Sequence, residues 1–249
     1  MEASGGTALT VTRPRRRVRP GWYLLAALAF YALVTTLMLG GARSALDAER
    51  SRSQQLRAQL EERSRELTWP LVGASPPASN DNLPGAARAY RKGVSQGFVF
   101  TGSDAGVPVV YGTPVVAAGD GRVSRADLQY RELTPADYAA LLARVKGGAA
   151  EPDLDRLRGR QVWIVHPDGT TTRYGHLAHL AHGVAEGQDV RRGQVIAYVG
   201  NSGTAEATEG KTSNARLLFE VWREQRFLGD GLKGSELREQ AGQLIKPWP

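Results

Sequence analysis

The sequence predicts a mainly β, antiparallel domain with an inserted helix, carried behind an apolar helix and a helical stalk. Three observations predict it. Beyond residue 88, short β-prone runs such as Gln161-Val162-Trp163-Ile164-Val165-His166 and Leu217-Leu218-Phe219-Glu220-Val221-Trp222 alternate with glycine turns. One stretch breaks that texture with a helix start and stop of its own. Ahead of it all, residues 21–42 carry no charge, and residues 43–67 contain neither Gly nor Pro.

Residues 1–20 form a basic tail, with Arg13, Arg15, Arg16, Arg17 and Arg19 next to the apolar run. Residues 21–42 are close to the ~20 apolar residues needed to cross a bilayer, and Trp22 and Tyr23 sit where an interfacial aromatic belt belongs. Arginines on the amino-terminal side place the N-terminus in the cytoplasm and the remainder outside the inner (cytoplasmic) membrane, as a single-pass protein. The competing reading is a cleaved signal peptide with Gly40-Gly41-Ala42 as its site; the length of the run favours the anchor.

Residues 43–67 are rich in Ala, Leu, Glu, Gln and Arg, which favours helix. Leu46, Leu56, Leu60 and Leu67 share one seam, but Glu49, Ser53 and Arg63 interrupt it. The stretch is therefore either a solvated stalk or a short coiled coil that pairs two copies into a homodimer. Residues 68–87 are rich in Pro, Gly and Ser and read as a linker.

Residues 88–249 form the β domain. Its expected strands lie near 107–111, 113–118, 161–166, 170–174, 194–199 and 217–222, with turns at Gly119-Asp120-Gly121 and Pro167-Asp168-Gly169. An insertion at about 126–159 holds the helix: Thr134 caps it, Pro135 opens it, and Gly147-Gly148 ends it. Tyr138, Leu141, Leu142 and Val145 make its apolar face.

Composition excludes some functions. The chain has 249 residues and a formal charge of +7, but no cysteine, so neither disulfides nor thiolate metal sites exist. Residues 1–45 contribute +5, residues 46–70 nothing, and the rest only +2. A near-neutral folded part argues against nucleic acid as a partner.

The β half also carries a series of motifs: Gly112-Thr113-Pro114-Val115, Gly119-Asp120-Gly121-Arg122-Val123, His166-Pro167-Asp168-Gly169, Tyr174-Gly175-His176-Leu177, Gly193-Gln194-Val195-Ile196 with Gly200-Asn201-Ser202-Gly203, and Phe219-Glu220-Val221-Trp222. In this order and spacing they resemble the LytM/lysostaphin-type peptidoglycan metallopeptidase domain from about residue 90 to 222. The resemblance implies an antiparallel β groove around one zinc ion, held by a His and an Asp of a first motif and by the second His of a His-x-His pair. The first His of that pair, and a His after a Tyr on the central strand, are implied to be catalytic.

In this chain Ser95 stands where the first His belongs, Val99 where the Asp belongs, Leu218 where the last ligand belongs, and Arg216 at the catalytic His of the pair. Only His176 is kept. Valine and leucine offer no lone pair to zinc, neutral serine is a poor ligand, and arginine repels a dication. The expectation is a pseudoenzyme without metal or cofactor. It would act in the bacterial envelope as a binder of peptidoglycan or regulator of a cell-wall hydrolase, with Tyr174, His176 and Arg216 as possible ligand contacts in the groove.

Arg216 is suited to hold a carboxylate bidentately, or else it snorkels outward from its strand. Two alternatives stand beside the adaptor: an endopeptidase with a site rebuilt around His166 and His176, and a purely structural oligomer driven by the stalk. His179 and His182 read as surface loop, and His166 as part of its turn. Ser95 has no Gly-x-Ser-x-Gly elbow around it, which disfavours a serine hydrolase.

Overall fold

The computed structural model describes residues 20–64 and 66–248, and the basic tail lies outside them. The chain divides into two units, Met1–Ala58 and Gln59–Pro249. One helix, α1 (Pro20–Ser64), runs without a break through the apolar run and most of the expected stalk, and the first unit holds it as far as Ala58. At 1.5 Å per residue, its 45 residues extend about 68 Å. Gly40 and Gly41 are absorbed into it.

It contains a stretch of mean hydropathy 2.0 with no buried residue, long and apolar enough to cross a membrane. Inside that stretch Thr35 and Thr36 return their hydroxyls to the Tyr31 and Ala32 carbonyls at 2.9 and 2.7 Å, so neither needs water. The helix ends at Ser64, short of the expected boundary at residue 67.

The second unit begins with β1 (Leu67–Thr68), then β2 (Ala87–Arg88), β3 (Gly93–Val94), β4 (Phe98–Thr101), β5 (Pro114–Val116) and β6 (Gly121–Ala126). Two helices follow, α2 (Pro135–Val145) and α3 (Glu151–Leu157). Next come β7 (Val162–Val165), β8 (Thr170–Gly175), β9 (Leu177–Leu180), β10 (Asp189–Val190), β11 (Val195–Val199), the short α4 (Ala205–Thr208) and β12 (Arg216–Arg223). The chain closes with β13 (Arg226–Phe227), α5 (Gly234–Leu244) and β14 (Ile245–Lys246).

The main sheet runs β10-β6-β7-β8-β12-β13, all antiparallel, and β4 joins β12 on the edge that β13 leaves free. A second sheet, β5-β11-β9, is also antiparallel. This is the predicted mainly antiparallel fold. Alternation along each strand sorts the main sheet's faces. Phe98, Phe100, Ile164, Tyr174, Leu217 and Phe219 point inward and are fully buried, packing with Val115, Ile196 and Val199 of the second sheet. Val99, Gly175, Leu218 and Glu220 belong to the opposite face.

Four expectations need correction. Residues 68–87 are not a linker: Trp69, Leu71 and Leu83 are buried in the core, and β1 pairs in parallel with β14. Thr68 and Val116 donate their backbone N–H groups to the Ala118 and Pro70 carbonyls, tying the segment down along its length. Leu67, expected on the stalk seam, is 2% exposed and belongs to this core. Residues 107–111 form only an isolated bridge, Gly102 to Val109, because Gly106 and Gly112 at positive φ bend the chain on either side.

The insertion carries two helices where one was expected. Thr134 caps α2 by accepting the Asp137 N–H, and Leu141 and Val145 are buried beneath it. The second helix, α3, has a Pro in its first turn and acidic residues Glu151, Asp153 and Asp155 that the apolar pattern does not reveal. Each of those acids meets an arginine: Arg158, Arg144 and Arg125 respectively.

Candidate functional site

The outer face of β4, β8 and β12 floors a cleft of about 420 Å³. Ser95, Val99, His176, Arg216 and Leu218 all line it, drawn from segments up to 123 residues apart. Leu218 is the register partner of Val99 on β4 and of Gly175 on β8, so the three sit side by side on adjacent strands. Gly97 explains how β4 gets so close. A Cβ there would lie 2.4 Å from the Phe219 carbonyl oxygen, so no larger residue fits.

Each side chain has a defined state. Ser95 is buried, and its hydroxyl donates to the Gly97 carbonyl at 3.0 Å. Val99 is 8% exposed. His176 follows β8 in the left-handed region (φ 60°), and its backbone N–H donates to the Arg158 carbonyl at 2.7 Å. Its Nδ1 lies 2.8 Å from the Ser202 carbonyl, which requires the proton on Nδ1 and leaves the lone pair on Nε2. Burial, reinforced by the charges of Arg216 and Arg158, pushes its pKa down to about 4, so the ring is neutral near pH 7.

Behind these residues lies a buried ion pair that the sequence did not disclose. Arg158 closes the insertion and points its Nε at Glu220 Oε1 (2.8 Å) and its Nη1 at Glu151 Oε1 (2.8 Å). Trp222 Nε1 donates to the other Glu220 oxygen at 2.7 Å. Burial opposes the charge on Arg158, but Glu220 and Glu151 outweigh it and hold its pKa above the ordinary arginine value. Alternation marks Glu220 as outward-facing; nothing local tells that its partner comes from 62 residues away.

The insertion supplies the cleft's other wall through Tyr138, Leu154 and Leu157. Arg88, Tyr90 and Arg91 enclose it from the β2–β3 hairpin. None of these stood among the predicted site residues, because their arrival depends on tertiary packing rather than on a motif.

Three placements overturn expectations. Tyr174 does not face the cleft: it is fully buried on the inner face, where its hydroxyl accepts from the Ala118 N–H at 2.8 Å and meets the Thr172 hydroxyl at 3.1 Å. The reason is alternation, which puts Tyr174 opposite in direction to Gly175. A site joining His166 and His176 is not formed either. The two flank opposite ends of β8, about 20 Å of extended strand apart at ~3.3 Å per residue. His166 is buried with both ring nitrogens engaged, Nδ1 by the Asp120 carbonyl and Nε2 by the Thr172 hydroxyl, each at 2.8 Å. His179 lies on β9 rather than in a loop, stacked on Tyr198 at 4.5 Å, and exposed His182 is in the turn that follows.

The chemistry of the donor set decides what the cleft can hold. Among the described residues no group of three or more His, Cys, Asp or Glu comes together in a way that could hold a metal ion. At the positions assigned to ligands, two side chains are hydrocarbon and the third spends its hydroxyl proton on its own turn. Arg158 and Arg216 line the same space. These residues do not fit a zinc ion, which requires imidazole, carboxylate or thiolate donors.

Fold and cleft together define an antiparallel β-groove domain, and comparison with known proteins places it further. Residues 101–229, just over half of the chain, match peptidase family M23, and the chain belongs to that family. The matched stretch includes His176, Arg216 and Leu218 and begins two residues after Val99.

Solved structures similar to this chain include a zinc-containing peptidase from Vibrio cholerae, at 24% identity and TM-score 0.43, covering 66% of this chain and 39% of that one. The catalytic domain of lysostaphin from Staphylococcus simulans is 19% identical with TM-score 0.33, covering 60% and 75%. A chain of the SpoIIQ–SpoIIIAH pore-forming complex is 17% identical with TM-score 0.39, covering 66% and 87%. This chain thus spans about two fifths of the length of the Vibrio cholerae peptidase that it matches. No curated protein matches it.

Proposed function

We propose that this chain is a membrane-anchored, non-catalytic M23-domain protein that acts in the cell envelope by binding peptidoglycan or a cell-wall hydrolase. The observation that carries the reading is the side-by-side placement of Val99 and Leu218 on the cleft floor, with Ser95 beside them and His176 the only imidazole among the described residues that line the cleft. Without a Lewis acid or an activated water, a single neutral imidazole has nothing to polarise an amide carbonyl for attack. The cleft then serves to hold a ligand rather than to cut it.

The anchor reading rests on α1, whose uncharged run of residues 21–42 exposes Trp22, Leu24, Leu25, Phe30 and Leu37. Such a surface is stable in lipid and costly in water. The arginines ahead of it, by the positive-inside rule, favour a cytoplasmic N-terminus and an M23 domain on the other side.

The test uses the full chain purified in detergent. Metal analysis after dialysis, peptidoglycan digestion with and without a chelator, and co-sedimentation with sacculi are measured together. Sacculus binding, or capture of a wall hydrolase, without stoichiometric zinc and without cleavage is the expected result. Stoichiometric zinc with chelator-sensitive cleavage sinks the proposal.

A further inference from the structure

The same cleft contains a second set of side chains that the missing metal does not explain. Arg88, Arg91 and Arg216 converge on it from the β2–β3 hairpin and the start of β12. Among the described residues none of the three forms a salt bridge to a carboxylate. Their contacts are to backbone carbonyls: Arg88 Nη2 to Asp81 at 3.0 Å, Arg91 Nη2 to Val94, and Arg216 Nε to Asn214 at 3.2 Å. Arg91 Nε is buried with no hydrogen-bond partner at all. Burial, together with repulsion from Arg91 and Arg216, holds Arg88 below the ordinary arginine value, so the three charges feel one another.

Two of the less exposed arginines of this domain are treated differently. Arg158 is closed by Glu220 and Glu151, and Arg125 by Asp127 and Asp155. Three acids line the cleft against four arginines, Arg88, Arg91, Arg158 and Arg216. Glu220 is held by Arg158 and Trp222, while Glu206 accepts from Asn214 Nδ2 at 2.8 Å and feels the charge of Arg216 without a salt bridge to it. Asp81 is exposed, and its backbone carbonyl, not its side chain, meets Arg88. What remains is a surplus of guanidinium donors around a concave space of about 420 Å³, the size that takes a few peptide residues.

A planar guanidinium fork pairs best with a planar carboxylate, and in a partly desolvated cleft that pairing outweighs a single neutral hydrogen bond. We propose that this cleft captures the free carboxylate end of a short peptide, held by Arg88, Arg91 and Arg216, with the lone pair of neutral His176 Nε2 accepting a peptide N–H. The proposal rests on the reading of the cleft as a ligand-holding site and adds the chemical group that it holds.

The experiment compares N-acetylated tetra-alanine bearing a free carboxylate with the same peptide as its C-terminal amide, titrated calorimetrically against the full chain in detergent. The free acid is expected to bind at least tenfold more tightly than the amide and to lose that advantage as salt is raised. Arg216→Gln is expected to bring the two peptides together, and Arg216→Lys to restore part of the difference, since lysine keeps the charge and loses the fork. Arg226→Gln, on an exposed arginine that pairs with Asp230 and lies outside this cleft, changes nothing. Thermal midpoints of all three variants confirm folding.

Equal binding of acid and amide overturns the proposal, as does binding of inorganic phosphate as tight as that of the peptide, or no binding of either peptide up to millimolar concentration. Sacculus binding that persists under those outcomes leaves the adaptor reading standing. Zinc-dependent cleavage would instead remove that reading, whatever the peptides do.

Discussion

Val99 and Leu218 are register partners on β4 and β12, and both line the cleft, at the positions we propose as former metal-donor positions. Directly opposed side chains of an antiparallel pair have Cβ atoms ~4.5–5.5 Å apart, which lets two donors converge on one ion. The triple variant Ser95→His, Val99→Asp, Leu218→His is therefore expected to retain about one zinc per chain after dialysis, where the parent retains none. Metal analysis reads the outcome directly. A folded triple variant that takes up no zinc would show that these three positions do not share a site.

Arg158 and Glu220 give a second prediction. Both are at most 4% exposed, and removing one partner leaves the other charged and buried. Arg158→Met is expected to cost about 3–5 kcal/mol in urea denaturation, and pairing it with Glu220→Leu should recover much of that loss. If Arg158→Met costs less than about 1 kcal/mol, the pair is not closed as described.

Much of the fold could be read from the sequence, because strand alternation and glycine turns are local signals. The six motifs located β5, β6, β8, β11 and β12, and the Thr134–Pro135 start located α2 within two residues. Ser95, Val99, Leu218, Arg216 and His176 all line one cleft; Arg216 and Leu218 share a face because they are two apart on β12, and Val99 joins them as the register partner of Leu218. Burial of the 68–87 segment was not legible. Pro, Gly and Ser set its backbone but say nothing of where Trp69, Leu71 and Leu83 go. The same holds for Arg158, Arg88 and Arg91, whose roles come from packing across long sequence separations.

His176 and His166 carry a prediction about pH. Burial lowers the pKa of both, to about 4 for His176, from the ordinary value near 6.5. As pH falls below ~6.5 the unfolded chain takes up protons that the folded domain refuses, so stability drops with acidification. It is complete above that pH, and the His176 contribution to the loss levels off below about pH 4. Thermal midpoints between pH 7.5 and 4 should fall less steeply for His176→Gln than for the parent. Parallel profiles for the two proteins would mean that His176 titrates normally.

The last prediction concerns where the domain starts. Trp69 is 2% exposed, packs edge-on against Phe98 and Phe100 at 5.1 and 5.9 Å, and offers its carbonyl to Trp248 Nε1 at 3.0 Å. It joins the beginning of the domain to its end, as the β1–β14 pairing does one step away. Trp69→Ala is expected to cost about 3–5 kcal/mol, the usual range for emptying a buried aromatic site. A chain beginning at residue 88 loses β1 with Leu67, Trp69, Leu71 and Leu83 at once, and should lack a cooperative thermal transition. A chain beginning at residue 66 should keep one. If both truncations melt cooperatively at the same temperature, residues 66–87 are dispensable and the packing described for them contributes nothing to stability.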